Sequence, residues 1–226
     1  MYASLKITVF AFLIGVFVTG AALAADEPQY SGFLGDEVYA KLELVEIRKG
    51  TVAQRWVGPK LNFANYKSIL VDDVVLYPKP QPGPQVNAET LKAIQGYVSE
   101  KLTMKVGSVL NLADRPGSQV LRLQVAITGV EIKTEGMKAY EVVPMAAIFG
   151  GLKAVTGTRD REVRVFVEAK FTDSETGELV GAAVRRIEGE KLKGKKEQLS
   201  LEHMQENLDT AADDTKNIFE HIFSDK

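Results

Sequence analysis

The chain contains no cysteine. That absence removes thiol nucleophiles, disulfide staples, Cys-ligated zinc and iron–sulfur clusters together. Only two histidines occur among 226 residues, which leaves few members for an imidazole metal site or an acid–base relay. A surplus of one charge is missing too. With 28 Lys and Arg against 30 Asp and Glu, the formal net charge is -2, and there is no electrostatic footprint for nonspecific nucleic-acid binding. Gly-x-Ser-x-Gly elbows and Gly-x-Gly-x-x-Gly turns are absent. Gly150-Gly151-Leu152-Lys153 lacks both the spacing and the Ser or Thr that phosphate cradling requires. Asp173-Ser-Glu-Thr-Gly177 has too few acids for a calcium loop. What remains is 45% hydrophobic and 26% charged, the composition of a folded domain.

Long apolar runs are confined to the amino end. Ile7 to Ala25 carry no charge, Lys6 precedes them, and the run closes on Ala22-Leu23-Ala24-Ala25 before Asp26. This pattern predicts a secretory signal peptide over residues 1–24, cleaved after Ala24, because signal peptidase admits only small side chains one and three residues before the cut. An uncleaved anchor is the competing reading, since the run is long enough to cross a bilayer. Loss of residues 1–24 removes Lys6 and no acid, shifting the formal charge from -2 to -3. Residues 25–226 are then expected in the periplasm as a single domain. Its opening segment, 25–66, reads as irregular, with a helical turn at 36–47.

Periodicity organises the rest. Ser68 to Tyr77 is rich in β-branched residues and stops at Pro78, so it is predicted as a strand. Prolines at 78, 80, 82 and 84 then enforce a stiff connector. Asn87 can cap a helix whose buried face is Leu91, Ile94, Val98 and Leu102, ending near Gly107. Strands follow at 120–132 and 163–172, where Leu121, Leu123, Val125 and Ile127, and then Val163, Val165 and Val167, alternate with more polar residues. Ser174 to Gly177 predicts a hairpin turn, with Gly177 supplying a positive φ. If Asp173 opposes Glu178, Phe171 meets Val180, Ala169 meets Ala182 and Val167 meets Val184. The charged run 188–197 reads as a solvated connector. Ser200 is expected to cap a last helix with Met204, Leu208, Ala211, Thr215, Ile218 and Ile222 on its buried face. The result is an α+β fold, an antiparallel-rich sheet in strand-helix-strand-strand-strand-helix order, with helices packed on one face. The other face, bearing Arg122, Gln124, Arg164, Glu168 and Lys170, is expected to meet water.

Ser31-Gly-Phe-Leu34, Tyr66 to Asp72, Val120 to Thr128 and Glu168 to Gly177 together resemble the bacterial family called domain of unknown function 3313. Their order and separation carry the likeness over most of residues 25–226. The resemblance implies an envelope address, since many members are small lipoproteins, and supplies no catalytic residues. With no cysteine after the signal, the thioether lipid anchor has no acceptor here, so any membrane association is expected to be of another kind.

Chemistry-bearing candidates are sparse. His203 and His221 share the last helix eighteen residues apart, about 27 Å at 1.5 Å per residue, and cannot hold one metal. Asp72 and Asp73 point to opposite faces of a strand. Asp213 and Asp214 read as solvated surface. No catalytic, cofactor-binding or metal residues are assigned, and no cofactor is expected. The segment Val142 to Val155 carries a single charge and places Met145, Ile148, Phe149 and Leu152 at helical spacing. These four are the candidate contact with an envelope protein or an apolar ligand, against the alternative that they pack on the core behind Pro144. The function expected is non-enzymatic binding in the periplasm. A structural subunit of an envelope assembly, and a hydrolase using Asp72, Asp73 and Glu168, are the alternatives.

Overall fold

The computed structural model describes residues 30–59, 61–80, 83, 85–134 and 160–224. One mixed sheet runs in the order β1 (Glu43–Arg48), β2 (Thr51–Val57), β8 (Leu179–Glu188), β7 (Arg161–Asp173), β6 (Val120–Thr134), β3 (Ser68–Val71), β5 (Asn111–Leu112), with β4 (Val75–Leu76) also paired to β6. Neighbours from β1 across to β6 are antiparallel. The short strands β3, β4 and β5 add in parallel. Two long helices, α2 (Ala88–Gly107) and α3 (Glu202–Ser224), cover one face. Between sheet and helices lies the main core, where Ile69, Leu121, Leu123 and Ile127 meet Leu91, Ile94 and Met204, all essentially inaccessible. This is the α+β class that periodicity predicts.

Several local expectations hold for the reasons given. Asn87 accepts from the Thr90 amide at 2.7 Å and caps α2, which ends at Gly107. Gly177 closes the β7–β8 turn at φ 74. Leu121, Leu123, Val125 and Ile127 are buried along β6.

Other elements depart from expectation. Residues 36–47 hold only a four-residue helix, α1 (Asp36–Tyr39), and the segment 43–57 forms the β1–β2 hairpin rather than irregular chain. Arg48 pairs with Thr51 across a Lys49-Gly50 loop in which Gly50 takes φ 77. The strand expected over 68–77 breaks at Asp72–Val74, because Val74 turns into the core and its backbone groups go to α2, its carbonyl accepting from Gln95 at 2.6 Å and its amide donating to Ser99 at 3.4 Å. Helix α3 starts at Glu202, and Ser200 instead contacts His203 Nδ1 at 2.8 Å. Within the charged run, Leu192 is fully buried and bridges to Arg161, the Glu190 amide donates to the His203 carbonyl, and Gln85 donates to the Gly194 and Glu197 carbonyls, so that connector is pinned at several points rather than solvated throughout.

The far face of the sheet is not simply wet. Residues 30–42 lie across it and form a second, smaller core in which Leu34, Val38 and Tyr39 meet Trp56 and Ala182. Beneath them Glu168 is only 2% exposed, and the Tyr39 hydroxyl donates to it at 2.6 Å while accepting from the Gly32 and Leu34 amides at 3.0 and 3.1 Å. Burial first, and the Glu168 carboxylate second, push the Tyr39 phenol up to about 12. Arg122, Gln124, Arg164 and Lys170 are half-buried rather than exposed.

Candidate functional site

The hairpin register decides the shape of the helix-facing surface. Phe171 pairs with Gly181, Ala169 with Ala183 and Val167 with Arg185, one residue away from the expected set, because the register shifts between Phe171 and Thr172. A one-residue shift exchanges the two faces of a strand. Beyond the bulge the helix-facing side of β8 therefore carries Gly181, Ala183 and Arg185 in place of Ala182 and Val184, which join the core on the far face, while Val180 stays in the main core. Opposite this patch of small residues, the middle of α3 presents Ala211, Ala212 and Thr215. Small side chains on both walls cannot fill the space between them.

A cavity of about 540 Å³ results. Its floor is the sheet, with Ala53, Val57, Ala169, Phe171, Gly181 and Ala183. Its roof is α3 from Leu208 to Phe223, and its flanks are Val45 and Ile47 of β1 on one side and Val98, Lys101 and Leu102 of α2 on the other. The space thus passes beneath α3. The helix is fixed over it at both ends. Met204 and Leu208 are buried at the start, and at the finish Phe219 lies 6.1 Å from Phe171 and Phe223 lies 5.4 Å from Phe63, ring centre to ring centre. In between, Arg185 acts as a strut, donating to the Ala211 carbonyl at 3.1 Å and to Asp214. Thr215, Ile218 and Ile222, expected in the core, are only half-buried because they border the cavity.

Charged groups of the lining are few and mostly spoken for. Asp209 accepts from Lys101 at 2.7 Å and from the Tyr97 hydroxyl at 2.8 Å. The Lys101 ammonium holds the Asp209 carboxyl below its usual range, and Asp209 in turn raises Lys101. Glu46 accepts from the Gly50 amide at 2.9 Å. Asp214 is buried between Arg185 and Arg48, the latter at 3.2 Å, while its neighbour Asp213 is exposed and pairs with Lys105. The reading of both aspartates as solvated surface holds only for Asp213. His221 borders the cavity from the exposed side of α3.

Met145, Ile148, Phe149 and Leu152, like residues 1–24, lie outside the described residues. Asp72, Asp73 and Glu168 have separate surroundings: Asp72 accepts from Arg122 at 2.7 Å and Gln124 at 3.0 Å, Asp73 is exposed, and Glu168 is held by Tyr39. Among the described residues no group of three or more acids and histidines could hold a metal ion. No described helix is long and apolar enough to cross a membrane. Sequence reading names many of the lining residues as core but misses the gap between them, although Gly181-Ala182-Ala183 on a strand and Ala211-Ala212 on a helix are a visible pairing of small residues.

The sequence model for the family described as Protein of unknown function (DUF3313) matches residues 29–215. The chain belongs to DUF3313. It is 31% identical over 198 residues to the uncharacterized lipoprotein YdcL of Escherichia coli K12, covering 87% of this chain and 88% of that protein. The protein of that description from E. coli O157:H7 matches equally. Among solved structures, the PelC dodecamer of Paraburkholderia phytofirmans matches at 13% identity and TM-score 0.33, covering 72% of this chain and 96% of that one. A DUF4136 protein of Bacteroides thetaiotaomicron matches at 11% identity and TM-score 0.36, covering 78% and 98%. In this DUF3313 chain the cavity lies almost wholly within the matched span, only the last turns of α3 extending past residue 215.

Proposed function

We propose that this DUF3313 protein is an exported envelope protein that holds an apolar ligand beneath α3 and performs no chemistry of its own. The relationship to a lipoprotein supports the address, as does the charge-free amino end closing on Ala-Leu-Ala-Ala. The observation that carries the binding role is the cavity. Its 540 Å³ falls in the range of small-molecule sites, which are mostly apolar clefts with a few placed polar groups. The space opens to solvent where Arg55 is exposed, so a ligand can reach it from outside.

The test is titration of the purified chain with a neutral fluorescent probe, N-phenyl-1-naphthylamine. Saturable one-to-one binding is expected. Ala183→Leu places a branched side chain on the cavity floor and should abolish binding while the thermal melt stays level or rises, since filling a void commonly adds about 0.5–2 kcal/mol. Undiminished binding by Ala183→Leu, or none by the native chain, overturns the proposal. If only the double variant Ile148→Asp/Phe149→Asp binds probe, the occupant is the chain's own segment 142–155, and the ligand role falls. Fractionation of cells should recover a chain shortened by 24 residues in the periplasm.

A further inference from the structure

Resting on that reading, the geometry points to the class of ligand: we propose that the cavity takes a single-chain anionic amphiphile, its acyl chain beneath α3 and its headgroup at Arg55. The cavity is polarised along its length. At one end the floor is Phe171 with Phe63, Phe219 and Phe223 around it, and the titratable group that α3 contributes to the lining there is the exposed His221. Arg55 lies one paired row on from Phe171–Gly181–Val57 and Arg185 two rows on, Lys101 borders the space from α2, and Glu46 is the one acid of the lining. Its α3 roof, from Leu208 to Phe223, spans about 22 Å at 1.5 Å per residue, room for one long acyl chain whose course passes the Arg55 row. A volume of 540 Å³ suits one such chain and not the two chains of a phospholipid.

Within the cationic end the groups are not equivalent. Lys101 is neutralised by Asp209, Arg185 by Asp214, and the Glu46 carboxylate is engaged by Gly50. Arg55 alone of these has no ion-pair or hydrogen-bond partner among the described residues, even though Glu43 stands opposite it in the β1–β2 register. It is exposed at the cavity mouth and its planar fork matches a carboxylate or phosphate in bidentate fashion. Arg55 pairs with Ala183 and Arg185 with Ala53, so the two arginines are diagonal neighbours on the helix-facing side, a separation of roughly 7–8 Å. The buried Arg185 Nε has no hydrogen-bond partner among the described residues. Arg55 thus offers the exposed donors at the mouth, and Arg185, its diagonal neighbour, adds positive charge beside them.

The experiment is displacement of the neutral probe from the full chain by oleate, by 1-oleoyl-lysophosphatidylglycerol and by uncharged monoolein. At least one anionic competitor should displace at about tenfold lower concentration than monoolein, and its advantage should shrink with added salt. Whichever of oleate and the lysolipid is stronger identifies carboxylate or phosphate as the headgroup. Arg55→Ala and Arg55→Glu, at an exposed position, should melt like the native chain, weaken the anionic competitor about tenfold and leave monoolein unchanged. Equal displacement by monoolein, or Arg55 variants that match the native chain, overturns the headgroup assignment while probe binding keeps the apolar site. Failure of the probe itself to bind removes both proposals.

Discussion

Asp209 is where the two long helices are fastened, through Lys101 of α2 and the Tyr97 hydroxyl. Because its folded carboxyl titrates below the usual range, the stabilisation it gives is fully present above the unfolded value of about 3.9 and is lost as pH falls through the folded value. Both partners are partly exposed, which limits the pair to about 0–1 kcal/mol. Asp209→Asn should therefore lower the melting temperature at pH 7 by about 1–4 °C. That difference should shrink in a melt series as pH falls through the folded value of the Asp209 carboxyl. A second lesson at this scale concerns Asp213 and Asp214. Adjacent helix residues differ in azimuth by roughly 100°, and that angle alone puts one in water and the other under the helix against Arg185.

At the scale of elements, helices and long strands were legible because period and capping agreed. Asn87, the Leu91–Ile94 face and the alternation of Leu121 through Ile127 all name their own element. The β1–β2 hairpin was hidden because Glu43-Leu-Val-Glu-Ile47 is equally good helix chemistry, and the deciding cue was the two-residue loop with Gly50. Register was less legible still. Turn chemistry located the β7–β8 hairpin, yet the extra residue, Val180 opposite Phe171 and Thr172, follows from packing that no pairwise apolar match anticipates. The exit of β2 shows how tightly this edge is set. Gly58 donates to the Val180 carbonyl at 2.8 Å, and a Cβ on Gly58 would stand 2.9 Å from that same oxygen. Backbone cannot yield as a side-chain tip can, so Gly58→Ala should destabilise by about 1–3 kcal/mol in urea melts. Faster amide exchange in β2 should accompany the loss.

On the scale of the whole molecule, the sheet is covered on both faces by different means: long helices with a gap beneath them, and residues 30–42 strapped down through Tyr39 and Glu168. A sequence reveals apolar faces, but not how far apart two such faces come to rest, because separation depends on which side chains end up opposed. That is why the site escaped a reading that found most of its walls. The gap also gives the molecule a volumetric signature. Unfolding eliminates internal void, so compression favours the unfolded chain in proportion to what the native state leaves unfilled. With Trp56, its single tryptophan, packed in the second core on the other face of the sheet, as a reporter of unfolding, the ligand-free protein should lose native fluorescence at a lower hydrostatic pressure than Ala183→Leu, and a bound amphiphile should raise that pressure in the native chain alone.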